Sequence, residues 1–325
     1  MSLAIEIFSN LQSDRTCTLK SLAVSLNVDL TTLENELDRI NNDDITFIER
    51  YSDGTVALGQ VSDVLCLGKI RSNLGHAADR FKFELVPETG STNDDLLNRI
   101  RSGAAQDGAV RISEIQTAGR GTKGRVWLSI PGGSLTFSIL RTIPANNVEK
   151  GMASIPLVVG LSIARSLNKC AEVSCRLKWP NDVVANGGKL AGVLMESVLV
   201  NGVYHLVIGI GINICLPQAL IDEVDQPVVD IYRLGSVIDR NLILGKLIEE
   251  LDFTLERYLI EGFGYFRAEW RELNAYQNQQ ISFALPDGER CEGEVIDVDE
   301  NGALVLEVAG KVKRFISGEI QIKLR

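Results

Sequence analysis

The sequence predicts an α+β protein of several domains, and three observations predict it. Apolar residues in roughly the first sixty positions recur at helical spacing, then give way to two short strand-like runs about a turn. A long middle stretch mixes strand-like with helix-like runs. The last fifty or so residues are short strands divided by Asp-Gly, Asn-Gly and Ala-Gly turns, the pattern of a small antiparallel barrel. At 325 residues the chain exceeds one ordinary domain, and 45% hydrophobic content is enough for real cores.

Leu3, Ile5, Ile7, Phe8 and Leu11 mark a first helix, and Leu19, Leu22, Ala23 and Leu26 a second. After the Asn27-Val28-Asp29 turn, Leu30, Leu33, Leu37 and Ile40 mark a third. Ile45–Ile48 and Thr55–Leu58 flank Ser52-Asp53-Gly54, a hairpin signal. Three helices and a hairpin over residues 1–62 make a winged helix-turn-helix plan, with Asp29–Asn41 in the recognition-helix position. Its charge opposes DNA, because four bases stand against ten acids, a balance of −6. The third helix carries Asp29, Glu34, Glu36 and Asp38 against Arg39 alone. Phosphate contacts dominate DNA affinity, and this surface would repel them. Operator binding and a regulatory or packing appendage both remain open, and the charge favours the second.

A connecting helix is expected over about Asp63–Gly75, and a second domain over 63–272. Its strand-like runs are Phe81–Val86, Val110–Ile115, Ser134–Leu140, Leu190–Val200 and Tyr204–Ile214; its helix-like runs are Asp94–Ser102, Ile155–Lys169 and Leu242–Gly262. A third domain, 273–325, holds the strands Gln280–Leu285, Arg290–Asp297, Ala303–Val308 and Lys311–Ile316.

Composition narrows the function classes. A net charge of −10 argues against a broad nucleic-acid footprint. The six cysteines include no C-x-x-C pair, so neither a disulfide framework nor a zinc site is expected, and nothing suggests haem. Met1–Leu11 lacks a basic n-region and reads as a helix, and the longest apolar run, Ile155–Ala164, is too short to span a bilayer. A soluble, cytoplasmic protein is the expectation.

The most informative segment is Gly119-Arg120-Gly121-Thr122-Lys123-Gly124-Arg125, three glycines and three cations in seven residues. Glycine permits close backbone approach, and Arg and Lys hold phosphate or carboxylate. The spacing matches the dinucleotide fingerprint by letter, but Val126–Pro131 reads as strand and turn where a Rossmann loop must open a helix. Arg125 stands where a Walker A loop needs Lys-Ser/Thr, so that fold drops out as well. What remains is a cationic loop between strands, expected to be mobile without ligand because it buries almost nothing apolar.

Companion segments add chemistry. Ser91, Thr92 and Asn93 precede a helix; Thr92 is expected to cap it, and a helix N-terminus with two hydroxyls is also a binding edge. Gln116 ends a strand just before the loop, placing an amide towards a bound heterocycle. Lys178-Trp179-Pro180-Asn181-Asp182 combines five chemistries that a structural turn would not need. Lys189, at the mouth of the strand Leu190–Leu194, either snorkels or holds an anion, and its neighbours favour the anion. Gly209 and Gly211 permit close approach beside Asn213, whose amide could read a base edge. His76 and His205 pair with no obvious nucleophile and acid, so the available chemistry is electrostatic, as in nucleotidyl transfer.

In this order, Gly-Ser-Thr-Asn, Gly-Arg-Gly, Lys-Trp-Pro-Asn-Asp, Lys-Leu-Ala-Gly and Gly-x-Gly-Ile-Asn resemble the bifunctional bacterial biotin–protein ligases along essentially the whole chain. The resemblance implies a class II synthetase-like mixed α/β ligase domain and an SH3-like C-terminal barrel. It implies ATP with Mg²⁺ as substrate, biotin as the acid, and biotinyl-5′-AMP as intermediate. A lysine of a biotin carboxyl carrier protein is the implied acceptor, and a homodimer through a sheet edge the implied assembly. Ser91, Thr92, Asn93, Gln116, Arg120, Gly121, Thr122 and Lys189 would then bind biotin. Gly119, Lys123, Gly124, Arg125, Trp127 and Asn213 would bind the adenylate. Lys189, Arg120, Lys178 and Asp182 would form the catalytic set, with Asp182 on Mg²⁺.

Two features depart from the family. Thr122 stands where well-known members carry a basic residue, which implies weaker retention of the adenylate. The acidic third helix puts an operator-binding role in doubt. The rival readings are a lipoate–protein ligase, which shares the catalytic fold, and a biotin-responsive repressor whose main task is DNA binding.

Overall fold

The computed structural model describes residues 3–14, 16–41, 47–59, 64–147, 152–236, 238–284, 289–316 and 319–321. The predicted turn at Pro286-Asp287-Gly288, and Ile45 and Thr46 of the predicted hairpin, lie outside them.

The first module contains α1 (Leu3–Asp14), β1 (Thr16–Thr18), α2 (Leu19–Leu26), α3 (Leu30–Ile40), β2 (Ile48–Arg50) and β3 (Thr55–Leu58). Local chemistry sets its helix ends. The Thr18 hydroxyl accepts from Ser21 N–H at 3.1 Å, and Asp29 accepts from Thr32 N–H at 2.8 Å, each satisfying an orphan donor of the first turn. Ile7, Leu11, Leu22, Leu33, Leu37 and Ile40 are buried together at the spacing that predicted the helices. β3 lies between β1 and β2 in an antiparallel sheet, and β1 is an addition the sequence did not suggest. Phe47, fully buried, packs against Gly133 of the central region, so this module is seated on its neighbour.

After α4 (Leu67–Asn73), the centre is a seven-stranded sheet. In chain order its parts are β4 (Lys82–Thr89), α5 (Thr92–Arg101), β5 (Ala109–Gln116), β6 (Ser134–Pro144), α6 (Ile155–Cys170), β7 (Arg176–Lys178), β8 (Asp182–Ala185), β9 (Gly188–Val200) and β10 (Val203–Asn213). The strand order is β4-β5-β6-β10-β9-β8-β7. Only β4 and β5 pair in parallel, joined through α5 as a parallel crossover requires; the other pairs are antiparallel. Val207 packs with Leu96, Leu97 and Ile100 of α5, while Leu206, Ile208, Ile210 and Ile212 belong to the larger core. By strand alternation Gly209 and Gly211 therefore share the α5 face.

α7 (Gln218–Asp222), α8 (Arg240–Glu261) and α9 (Arg267–Leu273) follow. The short α9, β7 and β8 were not legible in the sequence, being too brief to show a period. The C-terminal strands are β11 (Gln280–Ala284), β12 (Arg290–Val298), β13 (Leu304–Val308), β14 (Lys311–Phe315) and β15 (Glu319–Gln321), an antiparallel sheet in the order β14-β13-β12-β11-β15. This sheet is tied to the centre by Trp179, whose Nε1–H donates to Gly302 O at 2.9 Å. Gly302, at φ +84°, also lies where a Cβ would stand 2.5 Å from the Ser154 side chain, so this joint requires glycine.

Candidate active site

A cleft of about 440 Å³, its mouth included, opens where the start of α5, the loop after β5 and strands β9 and β10 converge. Each wall can be traced to a local cause.

The polar wall begins at the helix N-terminus. Ser91, not Thr92, is the N-cap, accepting from Asp94 N–H at 3.4 Å. This corrects the expected cap, and it leaves Thr92 to point inward from the first helical turn. Thr92 N–H donates to Gln116 Oε1 at 2.8 Å, and its hydroxyl lies 2.6 Å from Ser138 Oγ. Asn93 accepts from Ser138 at 2.6 Å and donates to Glu196 at 2.8 Å. It lies directly over Gly209, where a Cβ would come within 2.3 Å of Asn93 Oδ1.

The cationic loop has its own fold. Gly121 N–H donates to Arg125 O at 2.7 Å and Trp127 N–H to Gly119 O at 2.9 Å, closing a small hairpin around the Thr122–Gly124 turn. Arg120 reaches Glu196 at 3.0 and 2.7 Å and Asp94 at 2.6 Å. Hydrogen bonding to Glu196, more than the nearby charges, raises the already high pKa of its guanidinium. The loop, which buries almost nothing apolar, is held here by electrostatic contacts, invisible in the sequence because Glu196 lies 76 residues away. Arg120 Nε is buried without a hydrogen-bond partner.

Opposite the polar wall, the Trp127 indole rests on two glycines. A Cβ on Gly211 would stand 2.3 Å from the ring, and one on Gly192 would stand 3.2 Å from it. Trp127 Nε1 is also buried without a partner. Lys189 Nζ lies 5.6 Å from the Trp127 ring centroid and 2.6 Å from Asp182 Oδ1; the second contact meets ion-pair distance but not hydrogen-bond angles.

The structure brings Ser91, Thr92, Asn93, Gln116, Arg120, Gly121, Thr122, Trp127 and Lys189 to one cleft. It sets the other expected residues around or behind it. Gly119 lies against the Trp127 carbonyl, and Lys123 and Gly124 are exposed at the loop tip. Arg125 turns back on Thr122, with Nη2 3.3 Å from its hydroxyl oxygen. Lys178 is paired across strands with Asp182. Asn213, expected to face a base, instead donates to the carbonyls of Lys189 (3.1 Å) and Val229 (3.2 Å), so it braces the Lys189 strand. Asp182, expected on Mg²⁺, is buried against the Lys189 ammonium. No group of three or more His, Cys, Asp or Glu that could hold a metal occurs among the described residues. Mg²⁺ is commonly held by one or two carboxylates together with substrate phosphates and water, so Asp182, already facing a cation, would supply at most one of its ligands and ATP the others.

Sequence reading missed Phe137, Gly192, Val193, Leu194 and Ile210 as cleft lining, and Glu196 as its anchor. Gly192, Leu194 and Glu196 share one strand face at period two, a signal that was present but unused. An apolar floor with amides and hydroxyls at one end and cations at the other suits a small acid with an apolar body and a polar head.

Two regions of the chain match known protein families. Residues 85–213 match the biotin/lipoate A/B protein ligase family, and residues 277–323 match the biotin protein ligase C-terminal domain. The chain is similar to the bifunctional ligase/repressor BirA of Salmonella typhimurium, with 33% identity over 243 residues covering 74% of this chain and 73% of the relative. It is similar to the biotin–[acetyl-CoA-carboxylase] ligase of Mycobacterium tuberculosis, with 34% identity over 244 residues covering 74% and 88%. Among solved structures it resembles the biotin protein ligase of Aquifex aeolicus in complex with biotin and ATP, with a TM-score of 0.63, 28% identity, and coverage of 73% of this chain and 97% of that one. The chain belongs to the biotin/lipoate A/B protein ligase family and, within it, to the biotin protein ligases.

Proposed function

We propose that the chain is an ATP-dependent biotin–protein ligase that adenylates biotin and transfers it to a lysine of a biotin carboxyl carrier domain. The observation that carries this reading is the single cleft joining an amide-and-hydroxyl wall to Lys189 and the cationic loop. A biotin carboxylate oxygen attacks the α-phosphorus of ATP, forming the P–O bond of biotinyl-5′-AMP and expelling pyrophosphate. The acceptor amine then attacks the acyl carbon, loses a proton, and AMP leaves.

In this assignment Ser91, Thr92, Asn93 and Gln116 bind biotin's polar ring, and the apolar floor takes its chain. Lys189 neutralises the carboxylate and the α-phosphate oxygens where negative charge gathers, the usual source of rate in such sites. Arg120, Gly121 and Thr122 cover the acyl end, and Trp127 offers an indole face and an N–H to the adenylate. Gly119, Lys123, Gly124 and Arg125 shape the loop above it, which excludes water from the anhydride. Mg²⁺ enters with ATP as part of the substrate. Lys178 and Asp182 act from behind the cleft, Asp182 by holding Lys189.

The domain division 1–62, 63–272 and 273–325, the winged-helix identity of the first and the SH3-like identity of the last belong to the same proposal. Three helices with the antiparallel β1-β3-β2 sheet support the winged-helix reading. The BirA name of the relatives supports a repressor role, and an operator gel shift dependent on biotinyl-AMP tests it.

Exchange of labelled pyrophosphate into ATP tests the ligase itself. Exchange that depends on biotin is expected. Exchange with lipoate alone would instead make the chain a lipoate ligase.

A further inference from the structure

Two groups of donors, one from the polar wall and one from the cationic loop, point to Glu196. Thr92 N–H donates to Gln116 at 2.8 Å, the Thr92 hydroxyl meets Ser138 at 2.6 Å, Ser138 donates to Asn93 at 2.6 Å, and Asn93 donates to Glu196 at 2.8 Å. From the opposite side Arg120 donates to both Glu196 oxygens, at 3.0 and 2.7 Å. A carboxylate only accepts, so the Ser138–Asn93 series and Arg120 both end on Glu196, while Thr92 N–H donates the other way, to Gln116. The Asn93 amide is oriented by the same logic. Its Nδ2 faces Glu196 and Leu194 O, neither of which can donate, while its Oδ1 faces the Ser138 hydroxyl.

The geometry points to Glu196 as the positioning residue that seats the cationic loop over the cleft and fixes the hydrogen-bond direction along its polar wall. Glu196 is not among the residues that line the cleft, so it acts through Arg120 and Asn93. It joins the loop, α5 and β9 at one carboxylate, beside the separate Arg120–Asp94 and Asn93–Leu194 contacts. In Glu196→Gln, Arg120 loses its charged two-oxygen partner and keeps Asp94. The new amide can donate as well as accept, so of the two obligate acceptors that orient Asn93 only the more distant Leu194 O remains. What the seated loop covers rests on the ligase reading; the seating itself does not.

The test therefore has a readout without ligand. Arg120, Lys123 and Arg125 make the loop a trypsin target, and cleavage there in the ligand-free protein reports its seating. Cleavage in Glu196→Gln is expected to run about tenfold faster at this loop alone, with Glu196→Asp intermediate, since the pair is bidentate but partly solvated. In pyrophosphate exchange the KM for biotin is expected to rise about tenfold with kcat within about threefold, and the KM for ATP to move less. Ser138→Ala, which breaks only the wall, is expected to raise the KM for biotin without exposing the loop. Wild-type cleavage and wild-type KM in Glu196→Gln would overturn the proposal. So would faster cleavage at every site in both Glu196 variants, which marks general unfolding. Absence of biotin-dependent exchange in the wild type would remove the ligase reading, while the trypsin result would still decide the role of Glu196.

Discussion

Lys189 and Asp182 form a nearly buried pair across adjacent strands, with Nζ 2.6 Å from Oδ1. The lysine thus enters the cleft with one side of its charge already balanced and the other side facing the indole of Trp127. Its position is also fixed from behind, because Asn213 and Val229 bond its carbonyl.

Replacing Lys189 with Met is expected to lower biotin-dependent pyrophosphate exchange by about 10²–10³, the typical loss for one preorganised charge at a developing anion. It also leaves Asp182 without its cation, so a stability loss of about 2–3 kcal/mol is expected in urea unfolding, somewhat below that for a fully buried pair. Asp182→Asn is expected to cost less activity, about tenfold, because the lysine remains but is held less firmly. Wild-type exchange in Lys189→Met would remove it from the chemistry.

The glycines of the floor make a separate prediction. A Cβ at Gly211 would stand 2.3 Å from Trp127 Cε2, so Gly211→Ala is expected to displace the indole. Trp179 and Trp270 are almost fully buried elsewhere, so a red shift in tryptophan emission reports Trp127. That shift is expected together with a rise of about tenfold or more in the KM for ATP, since a misplaced contact surface costs on that scale. An unchanged spectrum would mean that the strand, not the ring, gives way.

Much of this fold was legible because its long elements carry clear periods. The first three helices and the strands of the central sheet announce themselves in Leu33, Leu37 and Ile40, or in the run Leu206–Ile212. The short β7, β8 and α9 did not, being set by pairing with distant partners. The site was legible in composition but not in assignment. Thr92, Gln116, Arg120 and Lys189 meet in the cleft, yet Asn213 and Asp182 look equally available in sequence and prove to be bonded to the protein itself. Only three-dimensional neighbours distinguish a polar group facing a ligand from one bracing a strand.

Three cysteines differ in reactivity for stated reasons. The exposed Cys66 thiol has its pKa lowered by the backbone N–H groups of Lys69 and Gly68 at the start of α4. Burial pushes the Cys175 and Cys215 thiols up to about 12. Thiolate is the reactive form, so alkylation of Cys66 is expected to begin at lower pH than for an ordinary thiol. Cys175 and Cys215 are expected to react only after denaturation. Peptide mapping after iodoacetamide treatment at neutral pH checks this order; early labelling of Cys215 would show that the strand end beside Gly133 opens.

The last prediction concerns Thr122, the departure from the family's basic loop. Thr122 lines the cleft, and its hydroxyl oxygen lies 3.3 Å from Arg125 Nη2, so the neighbouring cation folds back on the loop. A basic side chain at 122 would add a charge at the cleft and, by repulsion, turn Arg125 outward. Thr122→Arg is therefore expected to slow release of biotinyl-5′-AMP by about five- to tenfold, the worth of one partly solvated charge-assisted contact. It should also reduce labelling of non-acceptor lysines in a mixture, because less free intermediate escapes. Both can be read from one reaction, by filtering off the protein to assay released intermediate and blotting the bystander proteins for biotin. Equal release by the two proteins would show that retention is set elsewhere, with the Arg120–Glu196 contact as the next place to look.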